Sequence, residues 1–443
     1  MKNEALFRTG SVWRAIFTMA VPSVVIIFVM FLYNIADMFF IGCLGDTAQV
    51  AAVSVVGPVF SILAAAATML GAGGCTIIAR CFGAGEVGKG RVYSSLCCWA
   101  GTLLGVLVCA ALLLCGTPLL QMLGSTPETT AYALQYLRVL AVGAPFLILA
   151  NTAAMLLRAE GAVKDGLIGN LLGTVTNLLL DPLFILVFRW GVTGAAAASV
   201  LGNVVATGFY MLYIIRRGTV LTVDPRFALQ KPAALGEILA IGLPNGIGSL
   251  LSGFASTFSN RLLSAYGTGA IAAMAAAGKT TMLIGMITMA ICMGCQPLLA
   301  YSYGAGDKRR LREQLKNIGL LTMGIGLAAG VACLLGRKAL VGMFIKEAAV
   351  AALGEQLVIW LVLGSPVIGL TYLATNLLQS VNKAMSAVVL SLLRQGLLLL
   401  PLLYGLDFFF GVTGIAAAYF AADTGAALIA AVMMARVWKK ELS

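Results

Sequence analysis

The sequence predicts an all-α integral membrane protein with twelve transmembrane helices in two parallel-related six-helix lobes around a central cleft. Of its 443 residues, 60% are apolar and only 10% are charged, against about a quarter charged in a soluble domain. A soluble fold of any size needs a larger polar surface than this composition supplies. Two further observations define the architecture: the number of long apolar stretches, and a repeat of the first half of the chain in the second.

Twelve apolar stretches, separated by short polar breaks, reach the roughly 20 residues that a helix needs to cross a bilayer. The first follows Lys2, Arg8 and Arg14 and has no small-residue cleavage site after a short core, so we interpret it as a spanning helix and not as a signal peptide. The predicted spans are 15–41, 50–79, 93–116, 134–157, 167–188, 192–215, 238–264, 269–300, 317–336, 353–380, 384–406 and 411–435.

The basic residues predict the orientation. Of the 29 lysines and arginines, 21 fall in the N-terminus, the C-terminus and the connections on one face. Five fall on the other face, counting Arg138 at the outer end of span 134–157, and 3 lie deeper within spans. Since cytoplasmic loops carry the excess of positive charge, both termini are expected in the cytoplasm of a multi-pass protein of the inner (plasma) membrane. This topology accounts for the net charge of +12 without a nucleic-acid partner.

Several segments of the first half recur in the second half in register. Ala79–Glu86 recurs as Ala300–Asp307, Gly143–Pro145 as Gly364–Pro366, and Gly191–Ala198 as Gly411–Ala418, at separations of 221, 221 and 220 residues; Pro22 and Pro182 correspond to Pro244 and Pro401. These matches predict two copies of a six-helix unit, and the even helix number makes the copies parallel. The predicted domains are an N-terminal lobe (1–215), a cytoplasmic linker (216–237) and a C-terminal lobe (238–443).

Polar residues at membrane depth predict an ion site in the N-terminal lobe. Asp37 shares a helix face with Tyr33, and Asp181 shares one with Asn177. The chain has no histidine, so proton chemistry within the membrane depends on carboxylates. Ionisable residues inside a membrane are usually functional, although a structural hydrogen-bond network remains the alternative. The predicted cation or proton ligands are Asp37, Asn177, Asp181, Ser199 and Asn151.

The C-terminal lobe has no matching acids and instead carries a serine stripe and a methionine stripe at helical spacing. Both stripes have a simpler interpretation as packing surfaces. If they face the cleft, the predicted substrate cavity comprises Tyr33, Asn34, Ser249, Ser256, Met282, Met286 and Met289. Arg394 and Asp423 are interpreted as a structural ion pair, whereas Lys279 has no assigned role.

Other classes of site are not expected. Gly83–Gly90 resembles a phosphate-binding loop but has Gly90 in place of the Ser or Thr that binds magnesium, so no ATP is expected. The ten cysteines are interpreted as free buried thiols. We expect no cofactor, no metal beyond a small cation at the carboxylates, no enzymatic activity, the lipid bilayer as a partner, and a monomer.

The sequence resembles the multidrug and toxic compound extrusion family, in particular its bacterial multidrug exporters. The residues that carry the resemblance are Leu156–Gly161, Asn177–Pro182, Gly191–Ala195, Gln296–Pro297, Tyr303–Ala305, Ser391–Gln395 with Pro401, and Tyr33–Asp37. The resemblance implies a twelve-helix antiporter that exports organic cations and amphipathic drugs in exchange for Na⁺ or H⁺. It also implies cation ligands at Asp37, Asn177 and Asp181, with Ser199 and Asn151 in support, and a first helix that bends at Pro22.

Two rival functions stay open within this resemblance. One is an exporter dedicated to a single endogenous metabolite, which the sequence does not distinguish from a drug exporter. The other is a flippase for lipid-linked precursors, against which the helix count and the scarcity of buried lysine and arginine both argue. The carboxylate that some relatives carry in the seventh helix is absent here, so no cation site is expected in the C-terminal lobe.

Overall fold

The computed structural model describes residues 7–8, 10–42 and 46–439, apart from the side chains of Asn34, Met38 and Thr47. Its regular structure in this part of the chain is helical. The helices are α1 (Val12–Gly42), α2 (Thr47–Gly83), α3 (Val87–Met122), α4 (Pro127–Ala159), α5 (Val163–Pro182), α6 (Val192–Arg217), α7 (Pro225–Gln230), α8 (Ala234–Ser264), α9 (Thr268–Gly304), α10 (Lys308–Gly342), α11 (Ala348–Leu363), α12 (Ser365–Ser380), α13 (Ala384–Leu392) and α14 (Leu399–Val437).

The all-helical membrane fold is confirmed, and the predicted spans lie in helical segments. Span 167–188 continues from α5 through a π-helical turn at Leu183–Val187 to one residue beyond it, and span 384–406 contains a π-helical turn at Leu393–Leu398. In the described part of the chain, ten helical segments are long and apolar enough to cross a membrane, and α11 and α12, bent by 42° at their junction, meet the same length and hydropathy criteria when taken together. One of the ten, Ala384–Val437, has 54 residues, which at 1.5 Å per residue is about 80 Å and more than twice the hydrocarbon thickness. It contains the last two predicted spans.

Backbone geometry divides this long segment and repeats between the two halves. Gly411, between the last two predicted spans, has φ 59° and ψ −139°. Gly191, its equivalent in the sequence repeat, has φ 59° and ψ −138° and starts α6. Only glycine adopts this conformation readily, because it has no Cβ. Two residues 220 positions apart thus turn the chain in the same way before a spanning helix.

Aspartate side chains cap the starts of two long helices. Asp46 caps α2 by accepting a hydrogen bond from the Ala48 backbone at 2.9 Å, and Asp307 caps α10 in the same way through Arg310 at 2.9 Å. Such side chains satisfy backbone N–H groups that have no partner within the helix. Each half of the sequence repeat therefore has a helix that starts at an aspartate cap.

The described chain packs as two compact units. Unit 1 is Pro22–Gly242, and unit 2 is Phe7–Val21 together with the residues from Leu243 onward. In unit 1, α4 is the central helix and packs against α2, α3 and α6; in unit 2, α9 packs against α10, α11 and α12. Compared with lobes of 1–215 and 238–443, unit 1 gains the connection after α6 and the start of α8, and unit 2 gains the start of α1.

Candidate ion-binding site

The hydroxyl of Ser199 joins three helices of unit 1. Asn177 Nδ2 on α5 donates a hydrogen bond to Ser199 Oγ on α6 at 3.2 Å. Tyr33 Oη on α1 shares a hydrogen bond with the same oxygen at 3.1 Å. Asp37 lies one helical turn after Tyr33, and Asp181 lies one turn after Asn177. The two carboxylates are therefore in the same region, where the charge of Asp37 acts on Asp181.

The chain geometry changes directly after Asp181. Helix α5 ends at Pro182, and a π-helical turn follows over Leu183–Val187. Proline has no N–H to continue the helical hydrogen bonds, and single π turns are frequent at functional sites. The local sequence Asp181-Pro182 therefore places a carboxylate where the helix changes its winding.

Four oxygen atoms of this cluster are buried without a hydrogen-bond partner among the described residues: Asp37 Oδ1, Asn177 Oδ1, and both carboxylate oxygens of Asp181. Asp181 is 0% exposed and Asn177 is 3% exposed. A buried carboxylate without a partner is strongly unfavourable, and it is relieved by a cation or by a proton. The chemistry of this donor set suits a small hard cation.

The sequence did not single out one further member of the cluster. The charges of Asp37 and Asp181 both act on Tyr136, a residue near the start of α4. Tyr136 also packs against a small apolar core of Ile41, Ile185 and Ala195. A tyrosine at the end of a membrane helix is most often an interfacial anchor, so its sequence position held no signal for a site.

Asn151, a predicted ligand, bonds to its own helix, and so does Asn203 of α6. Asn151 Nδ2 donates to the Leu147 carbonyl at 2.9 Å, and Asn203 Nδ2 donates to the Ser199 carbonyl at 2.9 Å. Asn151 is exposed on α4. None of the hydrogen bonds found for the described residues connects the Asn151 side chain to the carboxylates, so its role as a ligand stays a prediction.

The residues predicted for a substrate cavity lie partly on the surface of unit 2. Ser249, Ser256 and Met282 are exposed, and Met286 and Met289 are half-buried. Tyr33 belongs to the carboxylate cluster through Ser199. The side chain of Asn34 lies outside the described residues.

The two predicted cations of unit 2 have different surroundings. Arg394 Nε donates to Asp423 Oδ1 at 2.8 Å, with 14% and 20% of the two side chains exposed, and the guanidinium lies 4.9 Å from the centre of the Tyr372 ring. Lys279 is exposed, and its ammonium lies 5.7 Å from the centre of the Phe344 ring. Phe344 follows the end of α10, so Lys279 reaches toward a helix end as long cationic side chains in membranes do.

Within the described residues, no group of three or more His, Cys, Asp and Glu side chains has the arrangement of a metal site. The nine described cysteines are free thiols; Cys43 lies outside the described residues. The carboxylate cluster contains two acids, with amide and hydroxyl oxygens beside them.

Comparison with known proteins identifies the family. The family model described as MatE matches residues 22–183 and again residues 244–404. The chain belongs to the MatE family. The two matches lie one in each half of the sequence repeat, and each ends shortly before the repeated turn at Gly191 or Gly411.

Relatives and solved structures of the MatE family cover nearly the whole chain. The "Multidrug export protein MepA" of Staphylococcus saprophyticus subsp. saprophyticus is 30% identical over 432 residues, which cover 97% of this chain and 95% of that protein. The protein of the same name from Staphylococcus aureus (strain N315) is also 30% identical, over 436 residues, covering 97% of this chain and 95% of that protein.

Two solved structures establish the fold. "Crystal structure of MATE in the bent conformation" superposes with a TM-score of 0.93 at 23% identity and covers 100% of both chains. "Outward-facing conformation of a multidrug resistance MATE family transporter of the MOP superfamily" superposes with a TM-score of 0.92 at 24% identity, covering 99% of this chain and 98% of that one.

Proposed function

We propose that this membrane protein is a secondary active antiporter that exports amphipathic and cationic organic compounds in exchange for Na⁺ or H⁺ by alternating access. Membership of the MatE family and the relatives named as multidrug export proteins support export of small molecules. The observation that carries ion coupling is the set of four partnerless buried oxygens of Asp37, Asn177 and Asp181. The proposal includes a monomer in the plasma membrane, with both termini in the cytoplasm and no use of ATP.

The carboxylate pair provides a physical basis for coupling. Two nearby acids in a low-dielectric site do not both stay ionised without a counter-ion, so the site holds Na⁺ or retains a proton. A ligand shifts a conformational equilibrium only when it binds one state more tightly than the other. We propose that the ion stabilises one access state through these oxygens and that the exported compound stabilises the other.

Efflux from vesicles tests this proposal. Reconstituted protein is given an imposed Na⁺ or pH gradient, and export of a fluorescent cationic dye is followed. The Asp37→Asn,Asp181→Asn protein is expected to lose gradient-driven export and the effect of the ion on dye affinity. Asp165→Asn is the matched control, since that acid is partly exposed and its closest basic group, Arg217, lies 3.9 Å away. Accumulation by the double variant at near wild-type rate, with unchanged ion dependence, contradicts the proposal.

Substrate selection is assigned to Ser249, Ser256, Met282, Met286 and Met289, because the exposed serines and polarizable methionines offer an adaptable surface for varied apolar compounds. We expect Ser256→Trp to change the ranking of exported dyes while protein abundance stays near normal. Thr257→Trp is the control, because Thr257 is equally exposed but points about 100° away around the helix. An unchanged dye profile for Ser256→Trp shows that the serine stripe is a packing surface.

A further inference from the structure

The first turns of α8 pack against α2 of unit 1 at backbone contact distance. A Cβ on Gly73 of α2 would lie 2.0 Å from the Ile238 carbonyl oxygen, and a Cβ on Gly242 would lie 1.8 Å from the Met69 carbonyl oxygen. Either distance is too short for any side chain, so glycine on both helices permits the approach. Tyr93 of α3 also donates a hydrogen bond to Glu237 Oε2 in the first turn of α8.

The connection that leads to α8 is held along its length. We call Gly218–Asp224 the connecting strap. Glu160 Oε1, at the end of α4, accepts hydrogen bonds from Thr219 and from the Val220 backbone, the latter at 2.8 Å. Three side chains of α3 bond the strap backbone: Ser94 Oγ accepts from Thr222 N at 3.0 Å, Ser95 Oγ donates to the Asp224 carbonyl at 2.7 Å, and Trp99 Nε1 donates to the Val223 carbonyl at 2.9 Å.

These strap contacts are specific to the first half of the repeat. At an offset of 221 residues, the positions of Ser94, Ser95, Trp99 and Glu160 are taken by Leu315, Lys316, Leu320 and Val381. Leu315, Leu320 and Val381 have no hydrogen-bonding group in their side chains, and the Lys316 ammonium can only donate. The polar residues are therefore present in the half that precedes the connection, where the strap follows.

The helical hydrogen bonds of α8 are interrupted just after its fixed part. Unit 1 ends at Gly242, and Pro244 follows two residues later inside α8. Proline has no N–H for the Ala240 carbonyl, and helix bends occur mostly at such sites. Helix α1 has the same arrangement in the opposite sense: its residues up to Val21 belong to unit 2, and Pro22 begins its part in unit 1.

We propose that the joint between the two units lies at Gly242–Pro244 inside α8, paired with the equivalent Pro22 of α1, and that the connecting strap is a fixed part of unit 1. This inference rests on the proposed alternating access, which requires the units to move. Over residues 10–439, the chain then crosses between units only where a proline weakens a helix. The polar connection after α6 keeps its hydrogen bonds throughout the transport cycle.

Spin-label distances test the joint without measuring export. A label pair at Gly236→Cys and Gly253→Cys spans the joint along α8, and neither glycine has an atom within 4 Å of an added Cβ. The pair Gly319→Cys and Gly336→Cys in α10 has the same separation of 17 residues, and α10 contains no proline. A third pair, Gly88→Cys and Gly236→Cys, joins α3 to the start of α8 within unit 1. All pairs are made in a cysteine-free background and measured with Na⁺, with protons and with dye.

We expect the distance distribution of the α8 pair to shift or broaden by several ångströms between conditions, while the α10 and unit 1 pairs stay unchanged. A moving unit 1 pair places the joint in the connection and overturns the inference. An α8 pair as invariant as the α10 pair in every condition also overturns it. Failure of the wild-type protein to export dye in vesicles would instead contradict the proposed function, a separate measurement.

A rate measurement gives a second test. Pro244→Ala restores the backbone N–H toward Ala240, and we expect dye export to slow at least tenfold with dye affinity within twofold of wild type. Pro58→Ala is the matched control, since Pro58 lies inside α2 and entirely within unit 1. Equal export rates for the two variants contradict a joint at Pro244.

Discussion

Ser199 holds the carboxylate cluster together, because its one hydroxyl forms hydrogen bonds with side chains of two other helices. Its oxygen accepts a hydrogen bond from the Asn177 side chain and shares a second hydrogen bond with the Tyr33 hydroxyl. The N–H of Asn177 is thereby engaged, and the amide oxygen of Asn177 stays free for an ion. Ser199 thus orients a potential ligand and need not bind the ion itself.

The Arg394–Asp423 pair supports a prediction on stability. Breaking a buried ion pair on one side leaves an uncompensated charge and costs about 3–5 kcal/mol; partial exposure of both side chains places the expected cost near the lower figure. Arg394→Gln should therefore lower the detergent melting temperature clearly. Arg394→Gln,Asp423→Asn should recover part of the loss, as measured by size-exclusion chromatography after heating.

The control for this prediction is Arg337→Gln, because Arg337 bonds only to the Leu334 carbonyl of its own helix among the described contacts. Equal melting temperatures for Arg394→Gln and Arg337→Gln would show that the ion pair contributes nothing measurable.

At the scale of residues, sequence reasoning found the acids because an i, i+4 polar pair on an apolar helix is conspicuous. Asp37 with Tyr33 and Asp181 with Asn177 were identified in this way. Tyr136 was missed because its neighbours in the cluster come from other helices, and only tertiary packing brings them together. Whether Asn151 serves as a ligand stays a prediction for the same reason.

Helices α13 and α14 show how one residue divides a long element. Gly411 has φ 59° and ψ −139° in the middle of an otherwise helical segment of 54 residues. This region of backbone space costs about 1–3 kcal/mol for residues other than glycine. Gly411→Ala should therefore reduce the melting temperature and the yield of folded protein.

The matched control lies in the same helix. Gly405 has regular helical surroundings and no atom within 4 Å of an added Cβ. Gly405→Ala is expected to be neutral or to stabilise the protein by up to about 1 kcal/mol, since alanine favours helix. Thermal unfolding in detergent compares the two variants, and similar losses for both would show that the turn at Gly411 carries no backbone strain.

The spanning helices were the most predictable feature of this protein. Hydropathy located the spans because each must present apolar side chains over about 20 residues. It placed the break between the last two spans at 407–410, directly before the non-helical turn at Gly411. The backbone conformation of that turn has no signature in hydropathy. The bend between α11 and α12 coincides with Gly364 and Pro366, which the repeat had already marked.

For the whole molecule, the distribution of basic residues predicts that both termini and the connection at 216–237 lie in the cytoplasm. A single cysteine at position 308 should react with a membrane-impermeant reagent only in permeabilised cells, and one at position 126 should react in intact cells. Labelling of position 308 from outside, with position 126 protected, would show that the protein has the opposite orientation.

The halves of the sequence and the units of the structure agree except at the first helix of each half. The repeat locates the halves, because duplicated motifs recur in register. It carries no information on which unit a helix packs against. Phe7 stacks on Tyr301 with ring centres 4.7 Å apart, and the Cys295 thiol lies 3.9 Å from the Ile16 carbonyl oxygen. Contacts of residues so distant in the chain are set by packing and not by local pattern.

The turn at Gly411 also limits the length of exposed chain between the last two spanning helices. Phe408, Phe409 and Phe410 precede it and are 85%, 74% and 64% exposed, as aromatic residues are where lipid headgroups begin. The chain then re-enters the next helix without an extended loop of the kind that proteases cut and antibodies recognise. An epitope tag inserted beside Gly411 would disrupt the tight turn between two spanning helices, so this end is a poor choice for surface detection of the protein.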